Sequence, residues 1–205
     1  MNGELSEKAT EILTREVFTK QKRLQELIFS NLKNQTVNQK HLNEILEAIE
    51  CGPLKLRRLK LSRMSLHDSG MFEHLRGVVM GKLQEIDLSW TSLRIHQFQR
   101  LGEAIRDSSY LQSVNLSYIN LSDISHRSSD RIQKQQGVEA MVSDLATFIS
   151  ESRDLMHLSL NGMGLSSNMI LRIVKEGIVK SKTLVGVHLS DNEIKEGSKL
   201  RQEIC

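Results

Sequence analysis

The hydrophobic positions of this chain repeat in a six-residue arrangement, with apolar residues at the first, fourth and sixth positions. A repeated arrangement of this kind indicates one structural unit that buries its apolar face by stacking on copies of itself. The intervals between successive starts are 32, 27, 28, 44 and 29 residues, so 27 to 29 residues is the usual period and the fourth interval is much longer. The six repeats start at Leu24, Leu56, Leu83, Leu111, Leu155 and Leu184.

Each repeat is predicted to contain a strand followed by a helix, because the hydrophobic period changes from two to about 3.6 within it. Gly70 and Gly137 are predicted in turns between strand and helix, where a residue without Cβ is favoured. A further apolar residue follows ten positions after the last five starts, at Leu66, Leu93, Leu121, Leu165 and Ile194. One-faced helices are predicted from Phe72, Leu75 and Val79; Phe98, Leu101 and Ile105; Met141, Leu145, Phe148 and Ile149; and Ile170, Val174 and Ile178.

This pattern resembles the L-x-x-L-x-L-x-x-N/C-x-L signature of the leucine-rich repeat family, and the long period resembles its ribonuclease-inhibitor-like subfamily. The resemblance spans residues 24–205. It implies an α/β solenoid with a curved parallel sheet on the concave side and helices on the convex side. The Asn or Cys of the signature is kept only as Asn192, and the other repeats have Leu32, Met64, Thr91, Ile119 and Met163 there.

Residues 1–23 precede the repeats and are predicted to form an amphipathic helix, with Ser6 as its N-cap. Either this helix caps the open core of the first repeat, or it docks on a partner. Residues 24–205 are then the repeat domain. The apolar face of the helix is predicted to comprise Leu5, Ala9, Ile12, Leu13 and Val17.

The 44-residue interval contains a polar insertion at about 122–136. With few large apolar groups, the insertion is predicted to be a mobile loop at the rim of the sheet. Arg127 and Arg131 in it would meet an acidic partner, or one of its serines would be phosphorylated. The alternative is a passive surface insertion.

The final repeat is incomplete, and its helix is predicted at about 196–204. Either this end of the array packs on another subunit, or the chain is part of a longer array.

Composition favours a soluble cytoplasmic protein in a reducing compartment. The net charge is +3, so no overall field attracts the chain to nucleic acid or to an anionic membrane. The chain has no apolar run of about 18 residues and no apolar signal segment at its start. Cys51 and Cys205 are far apart, which argues against a disulfide framework.

Charges on the exposed strand positions are predicted to pair between neighbouring strands, which lie about 4.8 Å apart. Arg58 would reach Glu85, and Lys60 would reach Asp87. The basic run that these residues belong to is therefore expected to be compensated in space. This argues against a nucleic-acid interface, which needs an uncompensated basic face.

The position seven residues after each repeat start, here called the offset-seven position, holds Arg63, Trp90 and Tyr118 in three successive repeats. They are predicted to stand side by side at the rim. Arginine and aromatic residues are enriched at binding hot spots, so the row is a candidate partner-binding site. The alternative is ordinary packing, with Trp90 folded over the repeat edge and Arg63 stacked on it.

No arrangement of residues in the sequence indicates catalysis, a metal or a cofactor. His157 and His188 lie at different exposed positions, without the Cys or carboxylate neighbours that a metal site needs. They are retained only as candidate partner contacts. The chain is therefore expected not to be an enzyme.

The family resemblance implies a non-enzymatic intracellular scaffold or adaptor that binds protein partners within a larger assembly, of cytoskeletal or ciliary type. Two alternatives stay open. One is a regulator of an enzyme, such as an activator of a small GTPase. The other is a fragment of a larger leucine-rich repeat receptor or ubiquitin-ligase adaptor.

Overall fold

The computed structural model describes residues 7–30, 39–121 and 131–194. In these segments strands and helices alternate along the chain, which gives a mixed α/β fold. The strands of the main sheet are β1 (Glu26–Ser30), β2 (Arg58–Ser62), β3 (Glu85–Asp87), β5 (Ser113–Asn115), β7 (His157–Ser159) and β8 (Gly186–His188). The helices that follow them are α2 (Gln39–Cys51), α3 (Ser69–Met80), α4 (Ile95–Asp107), α5 (Arg131–Glu151) and α6 (Ser167–Glu176).

The main sheet is parallel throughout, and its strands follow one another in chain order. The fourth residue of each repeat signature pairs with its counterpart in the next repeat. This confirms the predicted stacking in register. The paired residues are Leu27, Leu59, Ile86, Val114, Leu158 and Val187.

A second, smaller parallel sheet pairs β4 (Ser92–Leu93) with β6 (Asn120–Leu121). It lies where the chain leaves the main sheet for the next helix.

The helices cover one face of the main sheet. Along β2, β3, β5 and β7 the signature residues are buried, while the residues between and before them in the strand are exposed or half-buried; Ser62, at the end of β2, is also buried. Helices need about 8–10 Å between axes and strands need about 4.8 Å, so such a one-sided stack curves with the sheet on its inner side. The arrangement is solenoid-like, and no described element covers the other face of the sheet, here called the open face.

The core is continuous through the middle repeats and thinner at both ends. Leu59, Ile86, Val114 and Leu158 are at most 1% exposed. Leu27 in the first repeat and Val187 in the last are only half-buried, because each has a neighbouring strand on one side only.

The described part of the N-terminal region is helical, in agreement with the sequence. It consists of α1 (Glu7–Ile12) and a π-helical turn (Leu13–Phe18). The predicted apolar face was wrong at Ile12, which is 49% exposed, because Thr10 and Phe18 occupy the fully buried positions of this region. Phe18 is completely buried and anchors this region instead. Leu5 and Ser6 lie outside the described residues.

The predicted rim loop is wrong for residues 131–136, which form the first turns of the 21-residue helix α5. Extending an existing helix costs less than starting one, so a polar segment joined to the anchored part at Met141 and Leu145 stays helical. Gly137 lies inside α5 and not in a turn. A Cβ there would meet Ile95 Cδ1 at 3.1 Å, so glycine allows a close approach to α4. Residues 122–130, including Arg127, lie outside the described part.

Three further predictions about helices need correction or stay open. Ile178 does not belong to α6, because the chain leaves the helix at Gly177 and forms a short 3-10 turn over Ile178–Lys180. Gly70 lies in the first turn of α3, two residues after Asp68, whose carboxylate accepts a hydrogen bond from Met71 N at 2.9 Å and caps the helix. The predicted helix at 196–204 falls outside the described residues.

Candidate interaction surface

The offset-seven position has a left-handed backbone in each of the last five repeats. The φ angles lie between 57° and 61° at Arg63, Trp90, Tyr118, Gly162 and Asp191. In the second to fifth repeats, the backbone N–H of this residue donates a hydrogen bond to a carbonyl oxygen of the next repeat. Trp90 N donates to Ser117 O at 3.0 Å, and Tyr118 N donates to Asn161 O at 2.7 Å.

In two repeats a side chain also supports this turn. It belongs to the residue four positions after the repeat start, and it accepts a hydrogen bond from the backbone N–H of the serine two residues later. Asp87 Oδ1 accepts from Ser89 N at 2.9 Å, and Asn115 Oδ1 accepts from Ser117 N at 3.0 Å. Short polar side chains of this type favour turns because they bond to the backbone two residues on. In these two repeats the turn is therefore held both by a backbone hydrogen bond to the next repeat and by a side-chain hydrogen bond from its own strand.

Arg63, Trp90 and Tyr118 form one stack, as the repeat spacing predicts. The rings of Trp90 and Tyr118 lie 4.2 Å apart between centroids and 10° from parallel. The guanidinium carbon of Arg63 lies 5.6 Å from the centroid of the Trp90 ring, within cation–π range. Trp90 nevertheless remains 52% exposed, so the stack leaves much of the indole open to solvent.

The stack continues through two residues that were not among the predicted site residues, Gly162 and Asp191. A Cβ on Gly162 would lie 2.1–3.0 Å from three atoms of the Tyr118 ring, so the ring lies directly over this glycine. The Tyr118 hydroxyl passes Gly162 and donates a hydrogen bond to Asp191 Oδ2. This bond, followed by burial, raises the pKa of Tyr118 above its usual value. Their shared offset in the repeat was the sequence signal that could have identified both residues.

The charges on the open face pair partly as predicted. Lys60 Nζ lies 2.7 Å from Asp87 Oδ2, which confirms that pair. Arg58 pairs with Glu26 at 3.2 Å, on the strand before it, and the predicted pair with Glu85 was wrong. Glu26 and Glu85 flank Arg58 equally in the strand register, and the guanidinium turns to the edge strand.

Asp87 is held ionised by its neighbours. Burial alone would raise the pKa of Asp87, but the hydrogen bonds from Lys60 and Ser89 outweigh it and hold the pKa below its usual value. The carboxylate therefore both neutralises Lys60 and supports the turn that precedes Trp90.

His157 and His188 lie on the adjacent strands β7 and β8, and both are exposed. His157 leans over Gly186, where a Cβ would meet its Nδ1 at 2.9 Å. Neither histidine joins the stack. Arg131 is the first residue of α5. Partner contacts by these residues stay predictions.

Asn192, the one retained amide of the family signature, connects the last two repeats. Its Oδ1 accepts from Met163 N at 3.0 Å and from Leu165 N at 3.1 Å. Its Nδ2 donates to Leu160 O and Leu189 O, both at 2.9 Å. The side chain thus satisfies backbone groups beside Asp191, at the far end of the row.

Within the described segments, no three His, Cys, Asp or Glu residues form a group that could hold a metal ion. None of the helices described there has the length and apolar character needed to cross a membrane.

Comparison with known proteins relates the chain to others through its structure. No family model and no curated protein matches it. Among solved structures, it is similar to the tropomodulin C-terminal domain of Caenorhabditis elegans, with a TM-score of 0.58, 13% identity, and coverage of 82% of this chain and 90% of that domain. The shared feature is the fold. A second structure, leiomodin-1 actin-binding site 2, matches with a TM-score of 0.49 and 11% identity over 83% of this chain and 86% of that one.

Proposed function

We propose that this chain is a non-enzymatic protein-interaction module of the leucine-rich repeat type, with a cytoskeletal protein as its partner. In this proposal the partner is bound through the stack of Arg63, Trp90 and Tyr118. The observation that carries the proposal is that two large aromatic residues occupy left-handed backbone positions and remain accessible.

The backbone itself does not favour these residues. A left-handed conformation costs about 1–2 kcal/mol for a residue with a Cβ and is avoided most strongly by bulky ones. The same turn is formed by Gly162 in the fifth repeat without that cost. Because strained backbone positions persist chiefly where function requires the side chain, the aromatic residues are better explained by binding than by folding.

The stack offsets part of this strain and orders the site before binding. An aromatic pair contributes about 0.5–1.5 kcal/mol and an exposed cation–π contact about 0.5–1 kcal/mol. These values are similar in size to the strain, so little net stability is gained from the aromatic side chains. A rigid aromatic surface that is already ordered loses little entropy when a partner covers it.

The surroundings of the stack suit a protein partner. Lys60 and Asp87 neutralise each other on the open face next to it, and Arg58 is paired with Glu26. A charge-balanced face around an aromatic and arginine centre matches the composition of protein interfaces, where charges are depleted at the core and aromatic residues and Arg are enriched.

The test is the variant Trp90→Gly, which removes the indole and relieves the backbone strain at once. The expected stability change is below about 1 kcal/mol, because the lost stack and the relieved strain nearly cancel. Binding to purified candidate partners, with filamentous actin as the first cytoskeletal protein to assay by co-sedimentation, is expected to weaken at least tenfold, as for a central hot spot.

Met80→Ala is the matched control, because Met80 is 47% exposed but lies on the helical side. It should leave binding unchanged. If Trp90→Gly strongly destabilises the fold while an identified partner binds as before, the stack is ordinary packing and the proposed site is wrong.

A further inference from the structure

The edge of the sheet at which the first three strands begin carries a concentration of positive charge. It is the edge opposite the stack. Five exposed cations lie there, and together they are called the basic rim: Lys22, Arg23, Lys55, Arg57 and Lys82.

The strand register brings these residues together. Arg23, Lys55 and Lys82 each lie three residues before the first residue of β1, β2 and β3, and those first residues are paired. Backbone bonds hold the approach to each strand in place, with Arg57 N donating to Gln25 O and Gln84 N to Arg57 O, both at 2.8 Å. The backbones at these three equivalent positions therefore follow one another at about the spacing of neighbouring strands, about 4.8 Å.

The charges of the basic rim are not compensated by the described residues. None of the five side chains forms an ion pair or a hydrogen bond with any of them, in contrast to Arg58 and Lys60 on the open face. The five side chains of the basic rim carry more positive charge than the net charge of the whole chain, which is +3, so positive charge is concentrated at this edge. A row of like charges at this spacing repels itself and attracts anions.

The ends of the helices explain only part of this row. Cations near a helix C-terminus are stabilising, but the effect falls off within the last turn. It accounts for Lys82, two residues beyond α3. It does not account for Arg57, six residues beyond α2.

The extent of the row favours a short acidic partner. The equivalent position of the fourth strand holds Tyr110, which is 49% exposed, and that of the fifth holds Asp154. The positive row therefore spans only about 10 Å and is followed by a neutral residue and then by a negative one, which opposes binding of a long polyanion or an anionic membrane along the rim. Carboxylates on one side of an extended peptide lie about 7 Å apart, so two or three of them match this length.

We propose that the basic rim binds an acidic segment of a partner protein, with its carboxylates against Arg23, Lys55 and Lys82. Arg57, immediately before β2, provides a further guanidinium for a bidentate contact with a carboxylate. This site is independent of the aromatic stack, so it stands or falls separately from the proposed function.

The experiment measures binding of a short glutamate-rich peptide to the full chain by fluorescence anisotropy at low and at physiological salt. The triple variant Lys55→Gln, Arg57→Gln, Lys82→Gln is compared with Arg153→Gln, Lys180→Gln, Lys182→Gln, which removes three exposed cations from the fourth and fifth repeats. The first variant is expected to bind about tenfold or more weakly, since each lost ionic contact weakens binding, and the second to bind like the wild type. Thermal unfolding of both variants checks that the fold is retained.

Four outcomes would overturn the proposal. The first is that the wild type does not bind the peptide. The second is that both triple variants lose peptide binding equally. The third is that the wild type binds single-stranded RNA or phosphatidylserine vesicles more tightly than the peptide. The fourth is a loss of stability in the first variant with unchanged peptide binding, which would assign the cations to the helix ends. Trp90→Gly should bind the peptide normally, and this separates a failure here from a failure at the stack.

Discussion

A left-handed turn follows each strand of the main sheet from β2 onward, but the side chain that it carries differs from repeat to repeat. Aspartate at Asp191 and glycine at Gly162 adopt this backbone at low cost, whereas Trp90 and Tyr118 do so against their preference. Gly162 has a second role, because its missing side chain provides the space in which the Tyr118 ring lies. The stack thus depends on an absent Cβ in the neighbouring repeat.

Gly162→Ala is predicted to disrupt the stack, and Gly164→Ala is its matched control. Both glycines have a left-handed backbone, with φ of 60° and 68°, but a Cβ on Gly164 meets nothing within 4 Å. Both variants should lose about 1–2 kcal/mol of stability from backbone strain. Only Gly162→Ala should also change the emission of Trp90, the single tryptophan of the chain, by displacing Tyr118. Equal emission spectra from the two variants would contradict this account.

At the residue scale, the sequence predicted which side chains would meet but not what their backbone would do. A common offset in consecutive parallel strands was enough to bring Arg63, Trp90 and Tyr118 together. The left-handed φ was not predictable from tryptophan and tyrosine, since neither residue type favours it. Arg58 shows a second limit, because two glutamates lay at equal strand distance and only side-chain geometry decided between them.

The helices and strands differ in how clearly they could be predicted from their sequences. The strand signatures and the helices α3 and α4 were predictable because a buried stripe repeats within each. Helix α5 begins before its apolar stripe, so composition suggested a loop where the structure has a helix. Helix α2 was predicted only by the general repeat pattern, and its buried face, formed by His41, Leu42, Ile45, Leu46 and Ile49, was not identified. A polar residue within that face weakened the pattern.

Phe18→Ala is predicted to release the N-terminal helix from the first repeat. Phe18 is fully buried in the core at the end of the π-helical turn, and replacing a buried Phe by Ala costs about 3–5 kcal/mol. Hydrogen exchange should then rise in α1 and in the adjoining α2, together with a lower unfolding temperature. Ile12→Ala, on the exposed side of the same region, should change neither measurement. Unchanged exchange in α1 of Phe18→Ala would show that the helix is held by other contacts.

At the scale of the whole molecule, each repeat is stable only through its neighbours. The signature residues of one strand pack between those of the strands on either side, and the two outermost strands are less well buried than the others. In such a linear stack stability is approximately a sum of repeat and interface terms. A defect in the centre therefore removes two interfaces at once, whereas a defect at an end removes one.

Leu116→Asp is accordingly predicted to abolish cooperative unfolding of the whole chain. Leu116 is completely buried in the fourth of six repeats. Loss of a buried Leu costs about 2–5 kcal/mol, and burial of the new carboxylate adds several more. Their sum is comparable to the total stability of about 5–15 kcal/mol that a domain has.

The control places the same carboxylate one residue earlier, in Asn115→Asp. Asn115 lies on the open face, and its Oδ1 accepts from Ser117 N as Asp87 Oδ1 accepts from Ser89 N in the repeat before it. An aspartate there keeps this bond, and its repulsion from Asp87 in the adjacent strand should cost below about 1 kcal/mol. Thermal and denaturant unfolding followed by circular dichroism should show one sharp transition for Asn115→Asp and none for Leu116→Asp. A sharp transition in both would mean that the central repeat does not couple the two halves of the stack.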